Sequence, residues 1–221
     1  MDSNSAQNIF KYTAVVPAAG LSSRMGAFKP LLDLGGKPLI CRTLDSLRAG
    51  GCGKIFIVTG HRADELEAAS AAPDVRFVRN PDYASTGMLE SVQLGLNACL
   101  SENLDLSVRK DPVSLVFILP GDIPLIRTET MRRLAEVAQK QLLALPFVLR
   151  PSYRGRAGHP VVLDRSAAQM LLSYKGLDGI RGFLRQLEAD AAASFVRVIE
   201  TDDPRILTDV DTPEDYQKWN K

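Results

Sequence analysis

The sequence predicts an α/β fold with a mostly parallel central sheet and helices on both of its faces. Short apolar runs alternate with longer amphipathic segments along the chain, the pattern in which a crossover helix links neighbouring parallel strands. The apolar runs are rich in Val, Ile and Phe and nearly continuous, as strands covered on both faces should be. Glycine, proline and small polar residues gather just after those runs, where folds of this kind bind ligands.

The polar residues 1–12, MDSNSAQNIFKY, read as a flexible or peripheral segment, and the first strand runs from Thr13 to Pro17. After a glycine-containing loop, a short extended piece over Leu31–Leu34 leads to the turn Gly35-Gly36-Lys37-Pro38. Pro38 opens a helix that Gly50-Gly51 closes, because proline suits a first helical turn and glycine a last one. "KIFIVTG" is a buried strand, "HRADELEAAS" a helix, "VRFVRN" a third strand and "MLESVQLGLNACL" a helix. "SENLDLSVRKDP" is polar and linker-like, yet too short to separate domains. "SLVFILPGD" is a strand with its end loop, and Arg127–Leu145 reads as the longest helix. "FVLRP", "HPVVLD", two helical patterns, "FVRVIE" and "ILTDVDTPEDY" complete one domain over residues 1–221, without repeats.

Composition narrows the function. With 45% hydrophobic and 24% charged residues and a net charge of +1, there is no bulk bias toward nucleic acid or a membrane surface. Neither a leader nor a membrane span is readable, so the expectation is a cytoplasmic protein. Cys41, Cys52 and Cys99 lack disulfide or zinc spacing and read as reduced thiols.

Four loops after strands carry unusual chemistry. In "PAAGLSSRMGAFK", Ala18, Ala19 and Gly20 let a ring or phosphate chain approach the backbone, and Ser22 and Ser23 add hydroxyls. Arg24 and Lys29 offer cations to phosphates from a loop expected to be exposed. The loop matches neither the Walker nor the dinucleotide fingerprint. It reads either as a nucleotide cradle or as a tight turn with two solvated cations. In "PGDIP", Asp122 sits on stiff backbone past an apolar strand, as a helix cap or as a metal ligand facing a triphosphate. In "DVDTPED", period two places Asp209 and Asp211 on one face and Val210 on the other. Thr212-Pro213-Glu214, with Asp215, also reads as a helix start, and both roles are compatible. His61 reads as a surface loop residue. His159, near Arg150, Arg154 and Arg156, reads either as part of an anion site or of a solvated basic loop.

The ordered motifs A-A-G-L-S-S-R-M-G-x-x-K, "GGKPLI", G-M-x-x-S-V-x-x-G-L, G-D-x-P, G-H-P-V-V and D-V-D-T-P-E-D-Y resemble the MobA-like nucleotidyltransferases, within them the molybdenum cofactor cytidylyltransferases. Two segments depart from the family pattern. Ala27-Phe28-Lys29-Pro30 stands where relatives read P-K-L-L, and Gly176-Leu177-Asp178-Gly179-Ile180-Arg181 displaces the acid of G-D-x-G-x-R by one position.

The resemblance implies a three-layer, Rossmann-like nucleotidyltransferase fold. It implies nucleotide contacts at Ala18, Ala19, Gly20, Ser22 and Ser91, and catalytic roles for Arg24, Lys29 and Asp122. It implies Mg²⁺ at Asp122 and Asp211, and acceptor contacts at His159 and Arg156. The implied reaction transfers CMP from CTP to the phosphate of a molybdopterin-type cofactor, and a molybdoenzyme chaperone is the implied protein partner. No general base is needed, since a phosphate monoester is already largely ionised near neutral pH. A sugar- or alcohol-phosphate nucleotidyltransferase and a non-catalytic nucleotide- or cofactor-binding protein are the alternatives.

Overall fold

Among the described residues, eight strands form one sheet: β1 (Tyr12–Pro17), β2 (Cys52–Thr59), β3 (Val75–Arg79), β4 (Val116–Ile118), β5 (Val148–Tyr153), β6 (Arg156–Ala157), β7 (Val161–Leu163) and β8 (Val196–Glu200). The structure is a computed structural model that describes residues 12–21, 26–102, 115–140, 146–189 and 196–219. β3, β2, β1 and β4 pair in that order and in parallel. β7 follows antiparallel to β4 and to β5, and β8 pairs in parallel with β5. β6 also pairs antiparallel with β5, so β6 and β7 form one broken strand along the same partner. The break, Gly158-His159-Pro160, lifts His159 out of the ladder.

Strand pleating sends alternate residues of β1 into two cores. Ala14 and Val16 join Ile55, Ile57 and Phe117 in a cluster with α1 (Leu39–Ala49), α2 (Ala63–Ser70) and α4 (Thr128–Lys140). Val15 joins Phe56, Val58 and Ile118 against α3 (Met88–Glu102), α5 (Arg165–Ser173) and α6 (Gly179–Ala189). The result is three layers, helices on each side of the sheet, as the alternation of segments predicts. α3 lies close to the sheet because Gly95 has no side chain: a Cβ there would stand 2.5 Å from Val15 Cγ1. Each fully buried Leu or Ile of these clusters contributes about 1.5–3 kcal/mol by leaving water.

Apart from the extended piece over Leu31–Leu34, the expected strands and helices are found, with adjusted ends. Leu31–Leu34 is not a strand: Lys29–Leu31 forms a 3₁₀ turn with Pro30 as its second residue, and within that piece only Asp33 makes a β-bridge, to Pro38. Proline's fixed φ and missing N–H favour that turn over an extended piece. The helix expected over Arg127–Leu145 is described over Thr128–Lys140, and residues 141–145 lie outside the described residues, as does most of the linker-like stretch. The three cysteines are free, and burial raises the Cys99 thiol to about 11. Among the described residues, no helix is long and apolar enough to cross a membrane.

Candidate active site

The parallel strands end on one edge, and their loops are tied together there. Past β1, the Ala18 N–H donates to the Val58 carbonyl at 2.9 Å, and the Ala19 carbonyl accepts from the His61 N–H at 3.1 Å. Ala18 and Ala19 are buried and Gly20 is exposed. Ser22 and Arg24 lie outside the described residues. Farther on, the Phe28 ring meets His61 edge-on at 5.6 Å, with the Arg62 guanidinium over it. His61 is thus half-buried against the first loop rather than a plain surface residue.

Lys29 corrects the expected exposure of its loop: only 7% of it reaches solvent. Its Nζ donates to Asp122 Oδ2 at 2.7 Å and to Asp211 Oδ1 at 2.5 Å, from residues far apart in the chain. Asp122 is held firmly for this role. The Gly121 N–H donates to the Pro17 carbonyl, and Thr43 Oγ1 in α1 donates to the Gly121 carbonyl. The Val210 N–H donates to the Asp122 carbonyl at 3.0 Å, which fastens the terminal acidic segment beside the loop after β4.

Val210 is fully buried, and Asp209 and Asp211 line the same inner cavity as Asp122. The period-two reading of this segment therefore describes its two faces. Thr212 and Asp215 cap α7 (Pro213–Trp219) reciprocally: Thr212 N–H donates to Asp215 Oδ2, and Asp215 N–H donates to Thr212 Oγ1. Capping and a carboxylate site thus coexist. Burial pushes the Asp209 carboxyl above its ordinary range, and the repulsion of Asp211 and Asp122 adds to it.

The donor set suits a hard cation. Two carboxylates already share one ammonium, so this point attracts positive charge, and magnesium takes few protein oxygens and fills its shell with water and phosphate. Asp122 and Asp211, whose carboxylates meet at one ammonium, are the pair that would hold such an ion.

His159 stands at the wall of the inner cavity. Gly158 lets it do so: the Ile206 carbonyl approaches so closely that a Cβ on residue 158 would be 2.3 Å from its oxygen. The His159 N–H donates to that same carbonyl at 2.9 Å. Burial lowers the His159 pKa to about 4, and Arg150 pushes in the same direction, so its imidazole is neutral. Arg156 lies exposed on the β5–β6 hairpin and lines neither cavity described here. Ser91 is 5% exposed, and its hydroxyl accepts from Asn80 Nδ2 at 3.1 Å. Of the three arginines that the sequence places near His159, Arg150 is the one that shares the outer cavity with it, whereas Arg156 is the one singled out by the resemblance as an acceptor contact.

A twisted sheet with a small-residue loop after its first strand, and a lysine bridging two aspartates beside that loop, is the arrangement of a nucleotidyltransferase. The chain belongs to the family of the MobA-like NTP transferase domain, whose model matches residues 14–191. It is 27% identical to Mth528, a nucleotidyl transferase from Methanothermobacter thermautotroptrophicus, with a TM-score of 0.73 over 95% of this chain and 96% of that one. Rv0371c from Mycobacterium tuberculosis matches at 25% identity and a TM-score of 0.70, covering 94% and 97% of the two chains; it has also been solved as a complex with manganese. The bifunctional protein GlmU of Burkholderia mallei is 36% identical over 126 residues, 56% of this chain. That match spans 25% of GlmU.

Proposed function

We propose that this nucleotidyltransferase moves CMP from CTP to the phosphate of a molybdopterin-type cofactor and releases pyrophosphate. The observation that carries the catalytic part is the Lys29 bridge between Asp122 and Asp211 at the edge where the loop after β1 opens. An oxygen of the acceptor phosphate forms a bond to the α-phosphorus of the triphosphate. The bond from that phosphorus to the α–β bridging oxygen breaks, and pyrophosphate departs with the electron pair.

Ala18, Ala19 and Gly20 present backbone to the nucleotide, with Ser22 and Ser91 as further contacts. Lys29, together with Arg24, neutralises charge on the transferring group, and preorganised charge in a partly dry site lowers the barrier most. Asp122 and Asp211 would hold Mg²⁺, and manganese in Rv0371c is in keeping with a divalent ion in this fold. When bound, the ion supplies charge neutralisation for the triphosphate and the leaving pyrophosphate. His159 and Arg156 are the proposed acceptor contacts, within one domain over residues 1–221 in the cytoplasm, and a molybdoenzyme chaperone is the proposed receiver of the product. The intact bridge speaks against a purely binding role, since a protein that only stores a nucleotide has no use for such a costly buried charge cluster.

The test is pyrophosphate release with Mg²⁺, each nucleoside triphosphate, and a panel of molybdopterin, sugar phosphates and alcohol phosphates. Release that requires molybdopterin and is fastest with CTP is expected. Release with a sugar phosphate alone would move the protein to the alternative enzymatic class, and none with any pair would overturn catalysis.

A further inference from the structure

Two cavities meet at His159 and Met88, which line both. The inner one, about 320 Å³, holds Asp122, Asp209 and Asp211. The outer one, about 600 Å³, is bounded by α3, α6 and β5 and presents Arg150 and Arg181.

The outer cavity contains unmet polar chemistry. Among the described residues, the buried atoms Arg150 Nε and His159 Nδ1 have no hydrogen-bond partner, and a buried donor left unpaired costs about 1–3 kcal/mol, more when charged. The nearby acids do not answer it. Glu90 accepts from the Gly87 N–H at 2.8 Å, Asp178 pairs with Arg185, and Glu188 attracts Arg150 without closing an ion pair. Arg181 adds a second positive charge that repels the first. Guanidiniums that reach one cavity from β5 and from α6 suit an anion placed between them.

On the reading that the inner cavity transfers a nucleotide, we propose that the outer cavity is the acceptor's subsite. In it Arg150 and Arg181 select an acceptor bearing a second anionic group apart from the phosphate that reacts. The reacting phosphate must reach the carboxylates and Lys29, whereas Arg150 lies beyond His159 from Asp122. One acceptor therefore spans the two cavities, with the uncharged imidazole of His159 touching its middle. Arg150, half-buried in β5, and Arg181, exposed in α6, set this preference.

Inorganic phosphate titrated into the metal-free protein by calorimetry tests the subsite without relying on turnover. Arg150→Met and Arg181→Met should each weaken its binding about ten- to a hundredfold, the loss of one charge-assisted hydrogen-bonding group, while Arg132→Met, exposed on α4, leaves it unchanged. Arg150→Met should melt no lower than the parent protein, because an unpaired buried charge has been removed. With whichever phosphorylated acceptor the protein turns over, Arg150→Met should raise the acceptor KM by about the same factor and leave the nucleotide KM unaltered. Unchanged phosphate binding in both arginine variants, or a marked loss of thermal stability in Arg150→Met, would overturn the subsite. Arginine-dependent phosphate binding without any nucleotidyl transfer would leave the subsite standing and remove the proposed reaction.

Discussion

Replacing Lys29 with alanine removes the ammonium that Asp122 and Asp211 share, and the structure sets the size of the effect. Lys29 is 7% exposed, whereas both carboxylates keep about 30% of their side-chain surface in contact with solvent. Breaking a fully buried pair costs about 3–5 kcal/mol and an exposed one about 0–1. This partly wet bridge falls between, at about 2 kcal/mol. For a chain of this size that is a urea midpoint lower by about 1 M. The loss comes from two carboxylates facing one another, so a divalent cation should restore part of it. Millimolar Mg²⁺ should raise the midpoint of Lys29→Ala more than that of the parent protein. Turnover should fall by a factor of about 10²–10³, the usual cost of one preorganised charge in a transition state. Equilibrium urea unfolding by circular dichroism, with and without Mg²⁺, and pyrophosphate release at saturating substrates measure the two effects. A variant with the parent midpoint and parent turnover would refute the role of the bridge.

Further outcomes follow from particular residues. Gly158→Ala should destabilise by about 3 kcal/mol, lowering Tm by about 8 °C for a chain of this size, since the added Cβ meets the Ile206 carbonyl oxygen; an unaltered melting curve would contradict the close approach. His159 has a folded pKa of about 4, below its ordinary value of 6.5. The unfolded chain therefore binds the extra proton between those values, and stability is lost as pH falls from about 6.5 toward 4, by about 3 kcal/mol in all. His159→Asn should flatten urea midpoint against pH in that window, where the charges facing His159 are Arg150 and Asp122, and parallel curves would remove the effect. Ala19→Gly should narrow the ratio of kcat/KM for CTP over GTP by about tenfold, because one methyl group discriminates by about 1–3 kcal/mol; a parent-like ratio would place the base elsewhere.

The layers and the sheet were readable because continuous runs such as "KIFIVTG" leave no choice of face, and because Pro38 and Gly50-Gly51 bracket α1. The paired faces of "DVDTPED" were readable for the same local reason, since period two needs no tertiary information. What escaped the sequence depends on residues distant along the chain. Lys29 looked solvated, and only the folding of Asp122 and Asp211 around it makes it buried. Arg150 was grouped with His159 in the sequence, but only the arrival of α6 brings Arg181, distant along the chain, to the same cavity. Pro30 carried a turn signal, but its apolar neighbours Leu31 and Leu32 favoured an extended reading.

The most direct measurement is mass spectrometry of the product formed from CTP, Mg²⁺ and molybdopterin, with pyrophosphate counted in the same reaction. The geometry at Lys29, Asp122 and Asp211 predicts one nucleotidylated acceptor for each pyrophosphate and loss of both products in Asp122→Asn, and the methyl group of Ala19 predicts a higher kcat/KM for CTP than for GTP. Pyrophosphate without a cytidylylated acceptor, a higher kcat/KM for GTP, or an undiminished yield from Asp122→Asn would contradict it.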